Sequence, residues 1–132
     1  GLADSGVELG LLVVVTADAS ALTEGAKLLA AAEKWATARF VVENRLRGEP
    51  DPALLKRVAG SAIITTLAKR EFEPRTIRFV QAMGLAAIPQ LKTSDLQREH
   101  GFAQARRMVA DLKAFRLAVM EAARPAATWL AS

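Results

Sequence analysis

Asn44 closes the run Arg39-Phe40-Val41-Val42-Glu43. A polar side chain at the carboxyl end of a buried parallel strand faces the crevice where open α/β sheets take their ligands. The competing role for Asn44 is a hydrogen bond to its own turn. Arg45 and Arg47, just beyond it, reach either phosphate or solvent. Thr65, Thr66 and Leu67 end the next apolar run, where they either flank the same ligand or serve as strand formers. Asp18 follows the first apolar run, placed to face a ligand or a second subunit, or to cap the following helix. Arg98, Arg106, Arg107, Lys113 and Arg116 form a candidate basic stripe diluted by Asp111 and Glu121. Glu71 and Glu73 sit in a mixed-charge loop with Lys69, Arg70 and Arg75, a pattern that reads as solvated. The single histidine, His100, has no Cys, Ser or carboxylate pattern around it, which argues against a triad or a metal site. With no cysteine at all, disulfides, thiolate metal sites and cysteine nucleophiles are excluded together.

The elements that position these residues can be read from apolar runs and their punctuation. Leu11-Leu12-Val13-Val14-Val15 is a β-branched run free of Gly and Pro, the pattern of a strand buried on both faces. A strand is expected over Gly10 to Ala17, then a helix capped by Asp18 or Ser20 and running to Ala36, with Leu22, Ala26, Leu29, Ala32 and Ala36 on one face. A second strand covers Arg39 to Glu43. The Gly48-Glu49-Pro50-Asp51-Pro52 turn opens a short helix, Pro52 to Val58, with Asp51 as its cap, and Gly60 ends it. Ser61 to Leu67 is the third strand, so two consecutive βαβ units are predicted. A helix from Arg75 to Met83 stops at Gly84. Leu85-Ala86-Ala87-Ile88-Pro89 reads as a short edge strand or an extended connection, because Pro89 cannot donate to a ladder. Ser94-Asp95-Leu96-Gln97 has capping-box spacing and predicts a long helix to Ala123, kinked or delayed by Gly101 and ended by Arg124-Pro125. The tail with Trp129 is expected to fold back or fray.

Composition sets the frame. The 132 residues are 52% hydrophobic but only 5% aromatic, so the core must come from Ala, Leu, Val and Ile, as in helices packed on a parallel sheet. No apolar run reaches the roughly 18 to 20 residues that cross a bilayer, which predicts a soluble, cytoplasmic protein. Charge is uneven: residues 1–60 carry seven Lys/Arg against eight Asp/Glu, while residues 61–132 carry eleven against six. A basic half of this kind either attracts polyanions or is an ordinary solvated surface.

The order strand, helix, strand with Asn44 at its end, short helix, strand, charged loop, helix and long C-terminal helix resembles the carboxyl half of the ParA/MinD/CobQ-type deviant Walker ATPases. The resemblance runs through Leu12 to Asp18, Phe40-Val41-Val42-Glu43-Asn44-Arg45, and Phe79-Val80-Gln81-Ala82-Met83-Gly84-Leu85. It implies a nucleotide pocket in which Asn44 reads the adenine edge beside Arg45, Thr66 and Leu67. It also implies ATP and Mg²⁺ in the intact parent, and a basic surface at Arg98, Arg106, Arg107, Lys113 and Arg116 for nonspecific DNA or a partner. The sequence departs from that pattern at Thr66-Leu67, where the family commonly has Ile-Pro. It also lacks G-x-x-x-x-G-K-[ST], whose amides and lysine hold phosphates, so this chain alone is expected to be catalytically inactive.

The resulting expectation is a single α/β domain over 1–132, the C-terminal part of a larger P-loop NTPase domain. Its three layers would hold a mainly parallel sheet of three or four strands, flanking helices and a long C-terminal helix. The alternative is a freestanding α/β protein-interaction module. On the first reading the strand at Leu11 to Val15 has an open edge that pairs with the missing N-terminal half or drives self-association.

Overall fold

The computed structural model describes residues 7–16, 18–45 and 52–132. Its described residues form two compact units: one of the residues up to Lys69 with Glu121–Ser132, the other of Arg70–Met120.

The first unit is built on the three runs of the sequence. Strand β1 (Gly10–Val15), helix α1 (Ala19–Ala32), β2 (Ala38–Asn44), helix α2 (Pro52–Ala59) and β3 (Ile63–Leu67) follow one another, and the strands pair in parallel in the order β1-β2-β3. Val13 lies opposite Val41, which lies opposite Ile64; Leu12, Phe40 and Ile63 form the next row, on the other face. Val13, Val15 and Val41 pack with Leu22 and Leu29 of α1 and with Leu55 and Ala59 of α2, so both crossover helices cover the same face. The helix Phe102–Ala131, labelled α5 below, brings its last residues, Glu121–Ala131, into this unit. There the Phe40 and Trp129 rings lie 6.3 Å apart, and the Thr65 hydroxyl donates to the carbonyl of Ala122 at 2.6 Å. The end of α5 thus covers β2 on the second face, while Leu12 and Val14 of β1 and Ile63 of β3 stay exposed there. The arrangement is the α/β one expected from the sequence. Strand β1, read as buried on both faces, is buried on one only, because α5 leaves Leu12 and Val14 uncovered. Covering on both faces is why β2 reads Phe-Val-Val without alternation, all three residues being buried.

Boundaries shift by a few residues. β1 ends at Val15, and α1 ends at Ala32 rather than Ala36, where the amides of Trp35 and Ala36 both turn back to the Ala32 carbonyl. β3 starts at Ile63 rather than Ser61, and α2 runs one residue past Val58. The proposed Asp51 cap, Arg47 and most of the Gly48 to Pro52 turn lie outside the described residues.

The second unit is helical. Helix α3 (Pro74–Met83), a 3₁₀ segment (Leu85–Gln90), helix α4 (Thr93–His100) and the Phe102–Met120 part of α5 surround Ile88, Leu91, Leu96, Ala105, Met108, Val109 and Leu112. Phe72 and Phe115 meet edge to face at 5.3 Å. Three expectations are corrected here. The Leu85 to Pro89 stretch is neither strand nor extended: the 3₁₀ turn buries Ile88 completely, and a segment with no ladder does not need the amide that Pro89 lacks. The long helix is two helices, because Gly101 at φ 79°, ψ 160° leaves helical space and starts α5 anew. The cap is at Lys92, two residues before Ser94, with Asp95 accepting the Lys92 amide at 2.9 Å.

A fourth correction belongs to the first unit. Pro125 does not end α5, which continues to Ala131. A proline inside a helix costs about 3 kcal/mol. The continuation sets Trp129 against Gly10 and Phe40, and this packing offsets the lost hydrogen bond, so the Trp129 tail neither frays nor turns back.

Candidate functional site

Parallel strands deliver their carboxyl ends to one rim, and the first unit places there Thr16 and Asp18 after β1, Glu43, Asn44 and Arg45 at the end of β2, and Thr66 and Leu67 at the end of β3.

Asp18 acts as the N-cap of α1. Its carboxylate accepts the Thr16 hydroxyl, the Ser20 hydroxyl at 2.8 Å and the Ala21 amide at 2.9 Å. These bonds, with that of Thr16 foremost, hold its pKa down to about 2. Of the roles open to Asp18, capping is the one its bonds express.

The four residues expected around a base do not all face one way. Asn44 sits opposite Leu67 and Glu43 opposite Thr66, and successive strand residues point to opposite faces. Asn44 and Leu67 thus share the face of Phe40 and Thr65, whereas Thr66 shares the face of Val41 with Glu43. Arg45 ties the two strand ends together, its amide donating to the Leu67 carbonyl at 3.0 Å and its Nε to Glu43 Oε1 at 2.7 Å. Asn44 is half-buried, Leu67 half-buried and Thr66 exposed. Thr65 spends its hydroxyl on Ala122 and serves the fold.

Glu43 is the residue that sequence reasoning passed over as part of a strand. Its side chain is 5% exposed and its charge is met by Arg45, on the wall of a cavity of about 420 Å³ that Leu55, Lys56 and Ile64 also line. The available signal was a carboxylate directly following three buried apolar residues, since a buried charge persists only when paired.

The candidate basic residues all belong to the second unit. Arg70–Met120 holds nine Lys/Arg against five Asp/Glu, while the rest of the chain holds nine of each, so the whole positive surplus belongs to that unit. At roughly 100° per residue Arg106 and Lys113 fall on one line of α5, but Arg107 and Arg116 lie on opposite sides of it. Arg107 turns to Glu73 at 3.5 Å, which Gln104 also binds, and Arg98 stands on α4. The expected single stripe is therefore dispersed, with Arg106 and Lys113 as its aligned part. Among the described residues no cluster of three or more His, Cys, Asp or Glu could hold a metal ion, and no helix is long and apolar enough to cross a membrane.

The fold defines an α/β protein with a parallel three-stranded sheet and a helical second unit. Comparisons with protein families, curated proteins and solved structures give no significant match.

Proposed function

We propose that the chain is the carboxyl-side portion of a ParA/MinD-like nucleotide-binding ATPase, contributing the base side of a pocket rather than the catalytic groups. The observation that carries this reading is the uninterrupted β1-β2-β3 parallel order with Asn44 at the carboxyl rim, beside Leu67. A carboxamide offers a donor and an acceptor to a base edge, and Leu67 offers it an apolar neighbour. The rim fits a base better than a triphosphate, since Asp18 is committed to a helix cap and Arg45 to Glu43. ATP and Mg²⁺ belong to the intact parent on this reading, and no hydrolytic step is assigned to these residues.

Partner surfaces follow from the same reading. β1 pairs on one side only among the described strands and leaves Leu12 and Val14 exposed, which supports self-association or docking of a further sheet segment. The surplus of basic residues in the second unit supports nonspecific DNA contact, Arg106 and Lys113 being its aligned pair. The test is calorimetric and spectroscopic titration of the full chain with adenosine and with ATP. Expected is binding no tighter than roughly millimolar, perturbing the Asn44 side-chain amide and abolished in Asn44→Ala. Tight binding that survives Asn44→Ala overturns the assignment.

A second reading, an α/β protein-interaction module, is favoured by one feature of α5. Phe102, Leu117 and Met120 are each more than half exposed and share the line of Arg106 and Lys113. Exposed bulky apolar groups on one helix face mark contact with another protein. Binding to DNA that is lost in Arg106→Ala/Lys113→Ala but unchanged in Leu117→Ser supports the first reading; a dependence on Leu117 supports the second.

A further inference from the structure

A cavity of the second unit lies between α3 and α4 and holds about 700 Å³. That is within the range of small-molecule sites. Phe79, Leu91 and Leu96 line it, Leu91 and Leu96 being buried members of the core and Phe79 packed against them, so its inner part is apolar. Arg75 and Arg78, three residues apart on α3, bring two guanidinium groups to one wall. Among the described residues neither has an ion-pair partner.

His100 closes the cavity at the end of α4. Its side chain is only 10% exposed, and its Nε2 lies 3.7 Å from a Glu99 carboxylate oxygen, too far for a hydrogen bond. Among the described residues no buried side-chain nitrogen or oxygen lacks a hydrogen-bond partner. The His100 ring nitrogens, which make no hydrogen bond to the chain, therefore reach solvent-accessible space on the cavity wall and can donate to a guest there. The two carboxylates on the lining are otherwise occupied. Asp95 accepts the Lys92 amide at 2.9 Å, and Glu99 is 82% exposed to water.

We propose that this cavity binds a small amphiphilic monocarboxylate, with Arg75 and Arg78 holding the carboxylate, His100 adding a hydrogen bond, and Phe79, Leu91 and Leu96 taking the apolar body. Paired N–H donors of guanidinium match a planar carboxylate. A multiply charged phosphate meets more repulsion from Asp95 and Glu99 on the same lining, and a purely apolar guest makes no use of the two guanidinium groups.

Because His100 is the only histidine, its ring gives one unambiguous magnetic-resonance signal. Octanoate titrated into the full chain is expected to shift that signal saturably, with matching heat by calorimetry, while octylammonium and inorganic phosphate leave it in place. Arg75→Ala and Arg78→Ala, both exposed positions that do not disturb the core, are each expected to weaken octanoate about tenfold. His100→Gln is expected to retain binding with a smaller loss. An unmoved His100 signal, equal binding of octylammonium, displacement by phosphate, or undiminished affinity in the Arg75→Ala/Arg78→Ala double variant each overturns the proposal.

Discussion

The sheet unit and the helical unit bury side chains of the same kind but reach their cores differently. In the first unit Val41 is completely buried because strands flank it on both sides and helices cover both faces. In the second, Ile88 and Leu112 are equally buried among helices joined by glycine breaks at Gly84 and Gly101, each with φ 79°. The first unit carries balanced charge and a rim of committed polar groups, whereas the second carries the surplus of cations and the larger cavity. The difference teaches where chemistry has room: the sheet's polar groups mostly hold the sheet together, while the side chains of Arg75, Arg78 and His100 around the α3–α4 cavity make no hydrogen bond among the described residues.

The contrast can be broken most sharply at its two cores. Val41→Asp places a carboxylate where nothing can pair with it and is expected to abolish hydrogen-exchange protection across β1, β2 and β3. Leu112→Ala leaves a cavity and is expected to destabilise the helical unit by about 2–5 kcal/mol, read as lost protection along α4 and the start of α5. A sheet that keeps its protection in Val41→Asp would show that β2 is not the centre of that core.

Smaller effects sharpen it. Gly25 of α1 faces Val15, and an added Cβ would stand 2.8 Å from Val15 Cγ1, a fully buried methyl. Gly25→Ala is therefore expected to destabilise by about 1–3 kcal/mol in chemical denaturation, despite alanine's better helix propensity. Gly101→Ala meets no steric neighbour but must hold a positive φ, so a loss of about 1–3 kcal/mol is expected from backbone strain alone. A neutral Gly101→Ala would mean that α4 and α5 can fuse into the single helix that the capping-box spacing suggested.

The subtlest effect is acid dependence at Asp18. Its pKa is lowered from 3.8 to about 2 in the folded chain, so its contribution is fully present above about pH 4 and drains away as pH falls toward 2. Asp18→Asn is expected to flatten that part of the stability profile in acid titrations followed by circular dichroism. An unchanged profile would place the acid sensitivity elsewhere.

Much of the first unit was legible because its signals are local. Leu11 to Val15, Arg39 to Glu43 and Ile63 to Leu67 each announced a strand by β-branched composition, and the intervening helices by period and cap. The turning points that depend on partners were harder to read. In the second unit Ile88 sits in a stretch that looked extended until the core claimed it, and in the first Pro125 looked like a stop until Trp129 met Phe40. The rim was half legible: Asn44 was visible at a strand end, but the pairing register put Thr66 on the opposite face from Asn44 and Leu67.

By itself the sequence determined that three apolar strands alternate with helices, that thiol chemistry is absent and that positive charge gathers toward the carboxyl half. Periodicity, capping residues and residue counts are properties of the chain alone. Tertiary structure decided the commitments: Glu43 to Arg45, Asp18 to its cap, Thr65 to Ala122, and His100 to a cavity wall without a hydrogen bond. Whether a polar group is spent or available depends on which distant residues fold against it, and no local pattern encodes that.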